Sequence, residues 1–211
     1  MIGGLALVLM VTLPAAPGVV TGTVTLTRDG APAADRSGVV VYLEGVPASR
    51  KELPPQEIHQ RDKTFVPGLV VLSKGGAVDF PNDDLVFHNV FSLSRPARFD
   101  LGLYKSGSSK RVVFDRPGVV EVFCNIHPRM IATVVVLDSG HYAVTDAAGA
   151  FRIEGVPPGT WPWKAWVRGG EQSGTVAVLP GQAAIVSVAV DANLGVPSHL
   201  RKDGTPYGRY E

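Results

Sequence analysis

One cysteine, two histidines and a methionine stand at spacings that suit a soft metal ion. Cys124 is the only cysteine of the chain, and it opens the pattern Cys124-x-x-His127-x-x-Met130. A second imidazole, His88, lies 36 positions upstream in the run Phe87-His88-Asn89-Val90-Phe91. With five His and three Met in 211 residues, a His at +3 and a Met at +6 from one given Cys is about a 1 in 3,000 coincidence. A soft thiolate and thioether suit Cu(I), while imidazoles suit both Cu(I) and Cu(II). One thiolate, two imidazoles and one thioether are the donor set of a blue-copper electron-transfer site. The candidate ligands are therefore His88, Cys124, His127 and Met130, and the expected cofactor is one copper ion.

Other chemistries fit these residues less well. Structural zinc takes Cys, His or carboxylate ligands, and Met is not among its common donors. Haem attachment needs Cys-x-x-Cys-His, which is absent. A catalytic thiol with His127 as its base would lack an oxyanion or orienting group, and a plain buried thiol is the bland alternative. The chain contains no His-Glu-x-x-His, no Gly-x-Ser-x-Gly and no P-loop, so no enzymatic activity is expected. Copper oxidases need further His-rich sites, which five His cannot furnish.

Such ligands need rigid elements to hold them. Gly and Pro, 24 and 17 in number, fall between short Val-rich runs, the pattern of many short strands and turns. Strands are expected over 19–26, 39–43, 65–72, 78–80, around His88, and over 131–137. Residues 111–114 and 118–123 read as a strand pair about the turn at Pro117 and Gly118. Cys124 then ends a strand, and His127 and Met130 sit on the loop after it. No window shows helical periodicity beyond two turns. An unpatterned stretch between Gly45 and Pro55 reads as a domain boundary. The segment 141–192 carries a Thr145-Asp146-x-x-Gly149 turn and a Pro157-Pro158-Gly159 turn between strands, as a small β-sandwich requires. Residues 192–211 read as an extended tail.

Lys plus Arg number 20 and Asp plus Glu 19, so no net field points to nucleic acid or an anionic membrane. Residues 1–16 join an apolar run too short to cross a bilayer to small residues, and read as a secretory signal peptide although no Lys or Arg precedes the run. The expected location is periplasmic or secreted, with no membrane span in the mature chain. A lone cysteine there cannot form an intramolecular disulfide, and a bound metal would protect it.

The stretch 57–137 resembles the cupredoxins of the plastocyanin/amicyanin type. The resemblance rests on Phe80-Pro81-Asn82, His88-Asn89-Val90, the Pro117-Gly118 turn, Val122-Phe123-Cys124, and the short loop with Pro128 after His127. It implies that His88, Cys124, His127 and Met130 ligate copper, with Met130 the weak axial ligand. It also implies that Asn89 hydrogen-bonds beside them and ties the two ligand loops together. Phe99-Asp100-Leu101-Gly102-Leu103-Tyr104, with the Cys-Asn-Ile-His-Pro-x-Met form, resembles a cupredoxin subgroup named methylamine-utilisation-like. Residues 141–191 resemble carboxypeptidase-regulatory-like (transthyretin-like) sandwiches, whose opening Gly-x-Val strand is supplied by Gly22-Thr23-Val24. The fold expected is all-β: a Greek-key cupredoxin sandwich over 57–137, inserted into a second small transthyretin-like sandwich formed by 18–46 and 141–191.

The remaining chemical residues have plainer readings. His59 is expected on a strand surface, and His141 and His199 facing solvent. Trp161, Trp163 and Trp166 are expected to pack the second sandwich. Asp83 and Asp84 read as an exposed turn, and Arg129, between two candidate ligands, as a cation whose direction is open. The function these expectations compose is a one-electron carrier between redox partners such as cytochromes, a dehydrogenase or a reductase. The alternative is a copper-binding or delivery protein with no electron-transfer role, and an interaction protein is the third.

Overall fold

The computed structural model describes residues 15–47, 54–193 and 199–207. The signal-peptide expectation falls almost wholly outside the described residues, as does much of the boundary between Gly45 and Pro55. The described residues are all-β, with eighteen strands and no helix, and so none long and apolar enough to cross a membrane.

The chain opens with β1 (Gly18–Arg28), β2 (Ala31–Pro32) and β3 (Val40–Leu43). Ten strands follow: β4 (Gln56–Glu57), β5 (His59–Arg61), β6 (Thr64–Val66), β7 (Leu69–Ser73), β8 (Gly76–Pro81), β9 (His88–Ser92), β10 (Phe99–Tyr104), β11 (Ser109–Phe114), β12 (Gly118–Phe123) and β13 (Ile131–Leu137). The last five are β14 (Tyr142–Val144), β15 (Ala150–Val156), β16 (Gly159–Val167), β17 (Gly170–Val178) and β18 (Ala183–Ala192).

Strands from the two ends of the chain share sheets. β1 lies between β15, antiparallel, and β18, parallel, while β3 lies between β14 and β16, with β17 outside β16. Period-2 burial follows: along β18, Val186, Val188 and Val190 are buried while Ile185 is exposed. The inward residues of both sheets form one core, including Val20, Val24, Leu43, Phe151, Ile153 and Trp163. Close strand approach needs Gly22, where a Cβ would stand 1.8 Å from the Val186 carbonyl oxygen.

The middle of the chain builds a separate core between the sheet β10-β9-β12-β13-β7 and the sheet β11-β8-β4. Phe80 and Phe114 enter it from one side and Val90, Val120, Val122 and Val134 from the other. β7 and β13 pair in parallel, and apart from Ser73 and Thr133 both are apolar because both faces are covered. Val70, Leu72, Val134 and Val136 point into this core. Val71, Val135 and Leu137 point the other way and pack against Val40 of β3, with Tyr42 and Trp166 beside them.

Some expectations are corrected. Residues 111–114 and 118–123 do not pair: β11 pairs with β8, and β12 with β13 and β9. Residues 115–117 cross between sheets, so that Phe114 and Val120 fill one core from opposite sides. The run 65–72 is two strands, because the chain turns at Pro67 and Gly68 and β6 pairs with β5 while β7 pairs with β13. His141 is buried, not solvent-facing: its Nε2 meets the Gly155 carbonyl at 3.1 Å and its Nδ1 the Ser139 hydroxyl at 3.2 Å. Trp163 is buried and Trp161 packs on the same core.

Candidate metal centre

The site is built where β12 turns into β13. Phe123 pairs with Ile131 across the hairpin and with Phe91 on its other side. Cys124 is the first residue past the strand end, and Met130 the last before the return. The Cys124 amide donates to the Met130 carbonyl (3.3 Å) and the Met130 amide to the His127 carbonyl (3.0 Å), which closes the loop on itself. Both side chains are fully buried in the middle core. The antiparallel register Phe91↔Phe123 carries β9 past the end of β12, so His88, three residues before Phe91, arrives beside the loop.

Three donor side chains converge there. Cys124 Sγ lies 3.9 Å from His88 Nδ1 and 3.7 Å from His127 Nδ1, and the two ring nitrogens are 3.0 Å apart. These atoms form the one cluster of metal-binding type among the described residues. A metal bonded at about 2.0 Å to nitrogen and 2.3 Å to sulfur, at trigonal angles, separates N from S by about 3.7 Å, so the two N–S spacings fit, while the 3.0 Å between the nitrogens corresponds to a narrower N–metal–N angle of about 97°. His88 is fully buried and His127 half-buried. Burial holds His127 below the usual histidine pKa, and the neighbouring His88 ring adds to the effect, which favours the neutral imidazole a metal requires. Two imidazoles and a thiolate, with a buried thioether at the hairpin base, fit copper better than zinc.

Neighbouring residues orient the donors. Asn89 Oδ1 accepts from the Asn125 amide (3.3 Å), and Asn89 Nδ2 donates to Asp100 Oδ1 (2.7 Å). Asp84 was expected in an exposed turn; instead its Oδ2 lies 2.7 Å from His88 Nε2, and its side chain is only 13% exposed. The same carboxylate accepts the amides of Asp62 (2.6 Å) and Lys63 (2.9 Å) at the β5–β6 turn. Burial pushes the Asp84 carboxyl up, but the Lys63 amide, His88 and the Asp62 amide outweigh it and hold the group below the usual range. Asp83 beside it pairs with Arg61 (2.8 Å) and with His59 Nδ1 (2.8 Å). Arg129 is exposed. His199, expected in solvent, stacks on Phe123 with ring centroids 4.1 Å apart.

No protein-family model and no curated protein matches the chain. Solved structures do. A purple cupredoxin from Nitrosopumilus maritimus is 24% identical, over 38% of this chain and 98% of its own, with a TM-score of 0.35. An amicyanin from Paracoccus versutus is 18% identical, over 46% of this chain and 96% of its own, with a TM-score of 0.37. A copper-containing nitrite reductase from Thermus scotoductus is 23% identical, over 53% of this chain and 28% of its own, with a TM-score of 0.38.

Proposed function

We propose that the protein is an exported type 1 copper protein that carries single electrons between redox partners and is not itself an enzyme. The observation that carries this reading is the convergence of His88, Cys124 and His127 within 3.9 Å, with Met130 buried across the loop base. His88, Cys124 and His127 are the equatorial ligands in this reading, and Met130 is the axial one. Copper, when bound, supplies a one-electron couple between Cu(I) and Cu(II). The chain's part is to keep its donors still through that change. Cys124 and His88 are locked by burial, His88 is oriented by Asp84, and the loop is tied to β9 through Asn89.

His127 is half-buried and flanked by the half-buried Ile126 and Pro128, so it is the donor through which electrons enter and leave. A formal net charge of +1 suits brief apolar docking to a cytochrome, dehydrogenase or reductase rather than strong steering. Residues 1–16 would direct the chain to the periplasm. Residues 18–46 and 141–191 would form a carboxypeptidase-regulatory-like domain with a cupredoxin domain, 57–137, inserted in it. The shared sheets of β1, β15 and β18 support that division.

The test is a visible and EPR spectrum after Cu(II) addition, beside a Cys124→Ser variant. An intense thiolate-to-copper band with narrow hyperfine splitting, lost in the variant, is the expected result. An ordinary Cu(II) spectrum would overturn the type 1 assignment. Rapid copper transfer to an acceptor without reversible redox would favour delivery instead.

A further inference from the structure

The chain beyond β18 was expected to trail as an extended tail, yet residues 199–207 lie on the ligand loop. His199 Nε2 donates to the Pro128 carbonyl (2.8 Å), and the Tyr207 hydroxyl donates to the Cys124 carbonyl (2.6 Å). These two carbonyls lie on either side of His127. The Lys202 amide donates to Asn125 Oδ1 (2.9 Å) between them. The His199 ring stacks on Phe123, the residue before Cys124, at 4.1 Å and 22°.

The segment is itself folded for this task. A turn closes it through Arg201 N to Thr205 O (2.9 Å) and Gly204 N to Arg201 O (2.9 Å), with Asp203 accepting from the Thr205 amide (3.0 Å). That turn brings the Tyr207 ring edge-on to His199, with centroids 5.0 Å apart, and places the Arg201 guanidinium 5.4 Å from the Tyr207 ring centre.

A closed ring of hydrogen bonds then joins segment, loop and β9. Lys202 holds Asn125 Oδ1 by its amide and Asp100 Oδ2 by its ammonium (2.6 Å). Asn89 holds the Asn125 amide and Asp100 Oδ1 from the other side. His88 precedes Asn89 and Cys124 precedes Asn125, so the ring spans the two strands that deliver the donors.

We infer that residues 199–207 form a strap that fixes the ligand loop from outside the middle core, with His199 and Tyr207 as positioning residues acting on the carbonyls of Pro128 and Cys124. Neither residue belongs to a hydrophobic core cluster. The loop's described backbone bonds within itself are those of Cys124 and Met130, which leave the Cys124 and Pro128 carbonyls to the strap. The inference rests on the copper reading for its functional consequence but not for its geometry.

The test compares the full-length chain with a His199→Ala/Tyr207→Phe double variant. In the metal-free protein, hydrogen exchange at the amides of Asn125, Ile126, His127, Arg129 and Met130 should quicken about 10-fold or more, since each net hydrogen bond lost is worth roughly a factor of five. Exchange in β1 and β18 should not change. In the copper-loaded protein reduced with ascorbate, removal of Cu(I) by a bathocuproine chelator should quicken by a similar factor, while the same variant loaded with Cu(II) and left oxidised still shows the thiolate band. Unchanged loop exchange in the double variant would overturn the strap, whatever the metal does. Faster exchange in a chain that shows no thiolate band would leave the strap standing and overturn the copper reading.

Discussion

His88 has one ring nitrogen to offer, because Asp84 occupies the other. A carboxylate only accepts, so Nε2 carries the proton and the Nδ1 lone pair faces Cys124 and His127. Replacing the carboxylate with an amide keeps the shape and removes the charge that strengthens the imidazole as a donor. Asp84→Asn should weaken copper binding by about 10- to 100-fold and raise the reduction potential, both read by titration against a chelator and by voltammetry. Met130 poses the complementary case, a ligand candidate that is also packing. Met130→Leu conserves volume and should cost under about 1.5 kcal/mol in urea unfolding, whereas Met130→Ala should cost about 2–5 kcal/mol. The Leu variant therefore isolates the thioether: a blue band with a raised potential is expected, because Cu(II) loses a donor. The donor types are legible in sequence since few residues can be soft ligands and their spacing survives any fold. Asp84 was not legible, because an acidic pair after Asn82 reads as solvated until the strand that follows is seen to bury His88. His199 was hidden for a similar reason: nothing in a polar terminal stretch says which surface it lies on.

At the scale of elements, what could be read was the position of strands, and what could not was their partners. Period-2 alternation marks β18, and mostly apolar runs mark β7 and β13, because burial on one face or two is written into composition. Pairing is decided at longer range. Residues 111–114 and 118–123 look like a hairpin, yet three residues between them suffice to cross a sandwich, and only the location of Phe80 and Phe114 in one core reveals it. The Gly-x-Val strand is a more favourable case, since its glycine has a steric reason. Gly22 sits on β1 opposite Phe151 and Val186, flanked by both partner strands. A Cβ there would stand 1.8 Å from the Val186 carbonyl oxygen, which is backbone and cannot swing aside. Gly22→Ala should destabilise the sheet by about 1–3 kcal/mol or more, measured by thermal unfolding. The copper band should survive wherever the chain is still folded, because no donor or orienting residue lies on β1.

Over the whole molecule, the two cores are joined by a seam of Val40, Val71, Val135 and Leu137 and by a polar clasp at its edge. Tyr142 donates to the Val71 carbonyl (3.0 Å), and Arg168, between β16 and β17, reaches Glu121 on β12 and the Thr133 hydroxyl (2.9 Å) on β13. β12 and β13 are the strands that carry Cys124 and Met130, so the clasp bears on the hairpin beneath the site. Burial pushes the Glu121 carboxyl up, and the Arg168 charge together with the Thr133 hydroxyl pulls it part of the way back. A carboxyl raised in the folded state contributes stability that is present below its unfolded pKa, about 4.3, and lost as pH rises through the folded value. Removing the guanidinium raises the folded value further and deepens that loss. Arg168→Met should therefore cost little at pH 4 and more at pH 7.5, on the order of 1 kcal/mol because both side chains keep about a third of their exposure. Urea unfolding at the two pH values reads the difference, and Glu121→Gln in the same background should abolish it. An equal cost at both pH values would mean that Arg168 joins the two cores by packing and by its bond to Thr133, without help from the Glu121 charge.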